Sequence, residues 1–145
     1  MEKIHFVVRA FIEDGNYVLV ADAGTHLFLP GGHVKRGECA QSSLRRELEE
    51  EIGIKHLKIE GFVGLIENTW YDKATPIHEN LIIFKASSDE LDKNKIVTSH
   101  EQHLKFHWIK FEELKDLNFL PKAMLNFLEF YKKNEKPNFL SLMNN

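Results

Sequence analysis

The run from Gly32 to Ile54, GHVKRGECAQSSLRRELEEEIGI, constrains this chain more than any other, because it sets four glutamates around one helix-forming stretch with glycines at both ends. At about 100° of rotation per residue, Glu47, Glu50 and Glu51 fall on one face. Leu44, Leu48 and Ile52 form the adjoining apolar stripe, and Glu49 turns away from both. The stripe docks a helix expected over Cys39 to Ile52, and Gly53 stands where a left-handed stop is wanted. A solvated amphipathic helix accounts for the leucines. The fixed separations of Gly32, Glu38, Arg46-Glu47, Glu50-Glu51 and Gly53 carry more constraint than amphipathicity needs. The segment reads as a divalent-metal site facing a cleft, and hard carboxylate oxygens favour Mg²⁺ or Mn²⁺ over zinc.

A chain of 145 residues, 43% hydrophobic, can bury one core and is too short for two independent domains, so a single domain over 1–145 is expected, with the tail from Asn134 uncommitted. A formal charge of -3 argues against a broad footprint for duplex nucleic acid. A polyphosphate ligand must then be neutralised locally, by a cation at the acidic helix. The lone cysteine, Cys39, excludes an intrachain disulfide and a multi-thiolate zinc site, and is read as a packing residue. No apolar run approaches the roughly 20 residues of a membrane span, and the N-terminus shows no signal pattern. The expectation is a cytoplasmic protein without a membrane anchor.

Ile4 to Ile12 and Tyr17 to Ala21 flank Glu13-Asp14-Gly15-Asn16 and predict a hairpin. Leu27 to Leu29 adds a short strand before Pro30 and the bend at Gly31-Gly32. Leu57 to Ile66 and Leu81 to Ala86 predict strands paired across a long loop from Glu67 to Asn80. Lys105 to Ile109 reads as a strand, Phe111 to Leu117 as a short helix and Pro121 to Lys132 as an amphipathic helix with proline in its first turn. Together these elements suggest a mixed sheet covered on both faces.

The box from Gly32 to Ile54 resembles, position for position, the signature of the Nudix hydrolases: Gly, five residues, Glu, seven residues, Arg-Glu, an aliphatic residue, any residue, Glu-Glu, any residue, Gly and an aliphatic residue. The resemblance implies an α/β/α sandwich with a mixed sheet, and hydrolysis of a phosphoanhydride in a nucleoside diphosphate linked to another group. That class includes nucleoside triphosphates, nucleotide sugars and dinucleoside polyphosphates. It also implies that Glu47, Glu50 and Glu51 bind Mg²⁺, with Mn²⁺ as a substitute. Glu38 would help the same cluster, and a carbonyl of Gly31 or Gly32 would be an extra ligand. Arg46, with its rigid guanidinium fork, orients a glutamate through paired hydrogen bonds or is a surface ion pair. Homodimerisation is common among similar proteins.

The general base stays open between Glu50, in a crowd of carboxylates that raise one another's pKa, and Glu101, in the loop before Trp108. His33, after the glycines, either touches a phosphate or faces solvent. Glu79, in His78-Glu79-Asn80, either lines the substrate cleft or caps a strand edge. Phe28, Trp70 and Tyr71 are the aromatics near expected cleft loops that can stack on a base, whereas Trp108 is expected to pack inward. His100, His103 and His107 lack the spacing of a zinc-protease motif. Two other readings compete. An isoprenyl diphosphate isomerase of the same fold needs a catalytic cysteine, and only Cys39 is present. A non-catalytic nucleotide-sensing domain usually loses box acids, and none is lost here.

Overall fold

The computed structural model describes residues 3–143. Strand β1 (Ile4–Asp14) carries apolar residues at both parities, Val7 and Phe11 alternating with Val8, Ala10 and Ile12, and all five are buried. A strand apolar on both faces belongs in the middle of a covered sheet. There β1 pairs in parallel with β6 (Thr75–Ser87) and antiparallel with β2 (Tyr17–Asp22) and β4 (Gly31–His33). Strands β3 (Leu27–Phe28) and β7 (Lys105–Lys110) pair with β2. Strand β5 (Lys58–Asp72) runs antiparallel to β6, and β8 (Asn138–Ser141) runs parallel to β5.

Helix α1 (Ala40–Ile52) covers one face, with Leu44, Leu48 and Ile52 in a cluster with Val8, Ala10, Ile12 and Leu19. Helix α2 (Met124–Asn134) covers the other, with Met124, Phe127 and Leu128 in a cluster with Val7, Phe11, Leu81 and Ile83. Full burial of each such side chain contributes roughly 1.5–3 kcal/mol. The result is the helix, sheet, helix sandwich expected from the sequence.

The site owes its place to a fork in this sheet. β1 and β2 pair only beside their turn, at Glu13↔Val18 and Asp14↔Tyr17. Beyond it β1 takes β4 as its neighbour, with Arg9 opposite Gly31, while β2 takes β3 and β7. A cavity of about 660 Å³ opens on the α2 side of the fork, bounded by Arg9, Phe28, Trp70, Glu79, Leu120 and Met124 among others.

Three expectations need correction. The segment from Glu67 to Asn80 is not a long loop: β5 and β6 continue through it as one hairpin in register to Asp72↔Thr75, turning on Lys73 and Ala74. The turn has no glycine or asparagine to announce it, and Lys73 itself adopts the left-handed conformation (φ 58°). Gly31-Gly32 forms strand β4, not only a bend. Pro121 stands in a turn ahead of α2, which starts at Met124. The short helix expected from Phe111 is present, as a 3-10 helix over Phe111–Asp116. In the tail, left uncommitted from sequence, β8 completes the sheet, and residues 144–145 lie outside the described residues.

Candidate functional site

Strand β4 leads directly into the box loop, and its two glycines let the backbone come close to its neighbours. Gly31 has φ 147° and a side chain there would strike the carbonyl of Val8; a side chain at Gly32 would strike the carboxylate of Glu47. Helix α1 then begins after Cys39 and ends at Gly53, whose left-handed conformation (φ 74°) lets its N–H donate to the Glu49 carbonyl. Cys39 is exposed at this N-terminus, so it is not the packing residue expected. Its thiol donates to Ser42 Oγ at 3.0 Å, and the Ser42 contacts hold its pKa below the ordinary thiol value.

The box acids are graded from core to solvent. Glu51 is 7% exposed, Glu47 is half-buried, and Glu49 and Glu50 are exposed. Arg46 ties the exposed end together. Its Nε donates to Glu38 Oε2 at 2.8 Å and its Nη2 to Glu38 Oε1 at 3.0 Å, while Nη1 reaches Glu47 Oε1 at 3.0 Å and Glu50 Oε2 at 3.2 Å. Nη2 also donates to the His33 carbonyl at 3.1 Å. The Arg46 hydrogen bonds hold the Glu38 carboxyl down at about 2, and the guanidinium is itself stabilised as a cation. Both oxygens of Glu38 are thus engaged by Arg46.

Glu51 is opposite in character. Its Oε2 is buried without a hydrogen-bond partner among the described residues. Burial, followed by repulsion from Glu47, pushes its pKa up to about 8 against the pull of Arg9. Ser43, the other buried polar residue of α1, is satisfied by donating to the His33 carbonyl at 3.3 Å. An orphaned, desolvated carboxylate oxygen beside a second carboxylate is an incomplete electrostatic arrangement that a hard cation completes. As the side chains stand, no three acid, imidazole or thiol groups among the described residues converge on one point. The donor chemistry fits a hard divalent cation nonetheless: all-oxygen, anionic and partly desolvated.

Glu101 lies outside the box, yet its charge bears on Glu51. The loop carrying it is pinned by the His100 N–H, which donates to the Glu51 carbonyl at 2.7 Å. His33 Nε2 pairs with His5 Nδ1 at 2.9 Å, and burial with the neighbouring His5 and Arg9 lowers the His33 pKa. His107 is bound to Asp22 at 2.8 Å, away from His100 at Gly53, so the histidine group is dispersed.

Trp70 and Glu79 line the cavity, Glu79 accepting from Asn68 Nδ2 at 3.3 Å. Tyr71 does not: the next residue on the strand, it is 73% exposed and pairs with Pro76. Strand alternation turns the Tyr71 ring from the side on which Trp70 lines the cavity. Trp108 packs against the α1-side core, with its Nε1 buried and without a hydrogen-bond partner among the described residues.

The residue missed from the sequence is Arg9. Its guanidinium stacks over the Phe28 ring at 4.9 Å and lines the cavity, and it feels the charges of Glu51, Glu79 and Glu47. A charge within the apolar strand HFVVRAFI was the signal, since a strand buried on both faces carries one only for a reason.

A family model for the NUDIX domain matches residues 3–130. Among solved structures, the fold is similar to the E. coli ORF135 protein (TM-score 0.66, 21% identity, covering 94% of this chain and 95% of that one). It is also similar to a UDP-X diphosphatase (0.68, 17%, 97% and 68%) and to the C. elegans Ap4A hydrolase (0.61, 18%, 94% and 100%). Among curated proteins nothing matches. With the box intact and the family match covering most of its length, this chain belongs to the Nudix family.

Proposed function

We propose that the protein is a divalent-cation-dependent hydrolase that cuts a phosphoanhydride bond in a nucleoside diphosphate linked to another group. The observation that carries this reading is Glu51 Oε2, buried beside Glu47 without a hydrogen-bond partner among the described residues, in a protein whose cavity is large enough for a nucleoside and is lined by Arg9, which feels both acids. Relatives named as a UDP-X diphosphatase and an Ap4A hydrolase support the substrate class by analogy.

In this reading Glu47, Glu50 and Glu51 hold Mg²⁺ or Mn²⁺, with a carbonyl of Gly32 as a further oxygen. Held there, such an ion would supply neutralisation of phosphate charge and activation of water. Glu38 holds Arg46, and Arg46 in turn holds Glu47 and Glu50. Glu50, on the solvent side of the cluster, takes the proton of the attacking water, and Glu101 is the second candidate because its loop is fastened to Glu51. His33 stands at the box loop to meet a phosphate oxygen. The aromatic rings of Phe28 and Trp70 receive the base, with Glu79 at the cavity wall.

The test is product-resolved chromatography of nucleoside triphosphates, oxidised guanine nucleotides, ADP-ribose, nucleotide sugars and dinucleoside polyphosphates with Mg²⁺ or Mn²⁺. Glu50→Gln and Glu101→Gln run in parallel. Cleavage of one class, lost in Glu50→Gln, supports the hydrolase and its base; loss only in Glu101→Gln moves that role to the loop. No turnover with either ion overturns the reading and leaves a nucleotide-sensing domain.

A further inference from the structure

We infer that Arg9 is the anchor for the phosphate that stays attached to the nucleoside, standing where the base cavity meets the acidic cluster and held in place by Phe28. This deepens the proposed function and rests on its nucleotide substrate class.

Four observations converge on it. Arg9 lines the cavity and also feels the charges of the box carboxylates Glu51 and Glu47, as well as that of Glu79, the acid on the cavity wall. It lies on β1 opposite Gly31, at the fork where β4 replaces β2 as the neighbour of β1. The guanidinium carbon lies over the Phe28 ring at 4.9 Å from its centroid, a cation–π contact that holds the group at the cavity wall without using its N–H donors. Finally, among the described residues Arg9 makes no ion pair within 4.0 Å, whereas Arg46 is paired with three glutamates.

A partly buried guanidinium without a bonded anion has donors to spare, and burial disfavours its charge. The surrounding acids compensate that charge only at a distance. Once a cation neutralises Glu47 and Glu51, Arg9 is left as uncompensated positive charge facing the cavity. A nucleotide whose base occupies the cavity and whose scissile bond lies at the box must thread its phosphate between the two, past Arg9. A planar fork and a phosphate are complementary there.

The test is isothermal titration calorimetry in Mg²⁺ buffer with adenosine, guanosine, cytidine and uridine 5′-monophosphates and the corresponding nucleosides. Monophosphates contain no anhydride and are not consumed. The expected result is that the wild-type protein binds at least one monophosphate about tenfold or more tighter than its nucleoside, and that Arg9→Met and Arg9→Gln reduce this advantage below about threefold. Nucleoside affinity unchanged in either variant shows that the cavity has kept its fold. A wild-type protein indifferent to the phosphate, or a variant that keeps the full advantage, overturns the inference. A chain with Arg9-dependent phosphate preference that cleaves no anhydride loses the hydrolase reading alone. One that cleaves while its preference ignores Arg9 loses this inference alone.

Discussion

Arg46 and Glu38 are joined by two parallel hydrogen bonds, Nε to Oε2 at 2.8 Å and Nη2 to Oε1 at 3.0 Å, which lock the arginine in the plane from which it also grips Glu47 and Glu50. Lysine keeps the charge but has no fork. Arg46→Lys should therefore lower kcat about ten- to a hundredfold, the usual cost of losing a group that orients metal ligands, while the melting temperature changes little. A steady-state assay beside a thermal melt checks this; an Arg46→Lys enzyme with full kcat would show that the fork does not matter.

Glu51 gives a pH-dependent stability of defined sign. Its folded pKa of about 8 lies above the ordinary carboxylate value, so in metal-free buffer ionisation costs the folded state more than the unfolded one. That penalty is absent at pH 4, grows as pH rises, and is complete above pH 8. Glu51→Gln should raise the metal-free melting temperature by several degrees at about pH 8.5 and by little at pH 4.5. Mg²⁺ should raise the wild-type melting temperature and leave Glu51→Gln nearly unmoved. Differential scanning calorimetry at two pH values, with and without Mg²⁺, decides it.

Gly32 faces the Glu47 carboxylate so closely that no β-carbon fits between them. In Gly32→Ala the glutamate must swing away. The expected outcome is at least a tenfold weaker Mn²⁺ affinity, read by electron paramagnetic resonance of free Mn²⁺, in a protein that still folds. Unchanged affinity would mean that Glu47 is not a ligand.

Trp70 and Tyr71 are neighbours in sequence with opposite surroundings, the first lining the cavity and 44% exposed, the second 73% exposed. Trp70→Ala should raise KM about five- to fiftyfold, the worth of one stacked base, and Tyr71→Ala should change it less than twofold. Equal effects of both substitutions would place the base elsewhere.

The box was fully legible in the sequence because its information is local. Helix periodicity alone separates Glu47, Glu50 and Glu51 from Glu49, and Gly53 ends the helix by its own conformational freedom. The layer order was legible too, since apolar residues at both parities of β1 mark a strand covered on both faces and the leucine stripe of α1 marks the helix face that covers it. Other features were decided by tertiary structure alone. The β5–β6 hairpin runs through a polar stretch with a glycine-free turn, so neither hydrophobic period nor turn chemistry announced it. Which of the three box acids is buried depends on how deeply α1 settles onto the sheet, a packing quantity that no helical wheel contains. Arg9 became part of the site only when the sheet forked and brought Phe28 and the box acids around it from distant parts of the chain. The sequence by itself determined the chemical groups and their helix. Long-range pairing decided which of them meet, because burial and electric field depend on neighbours far away along the chain.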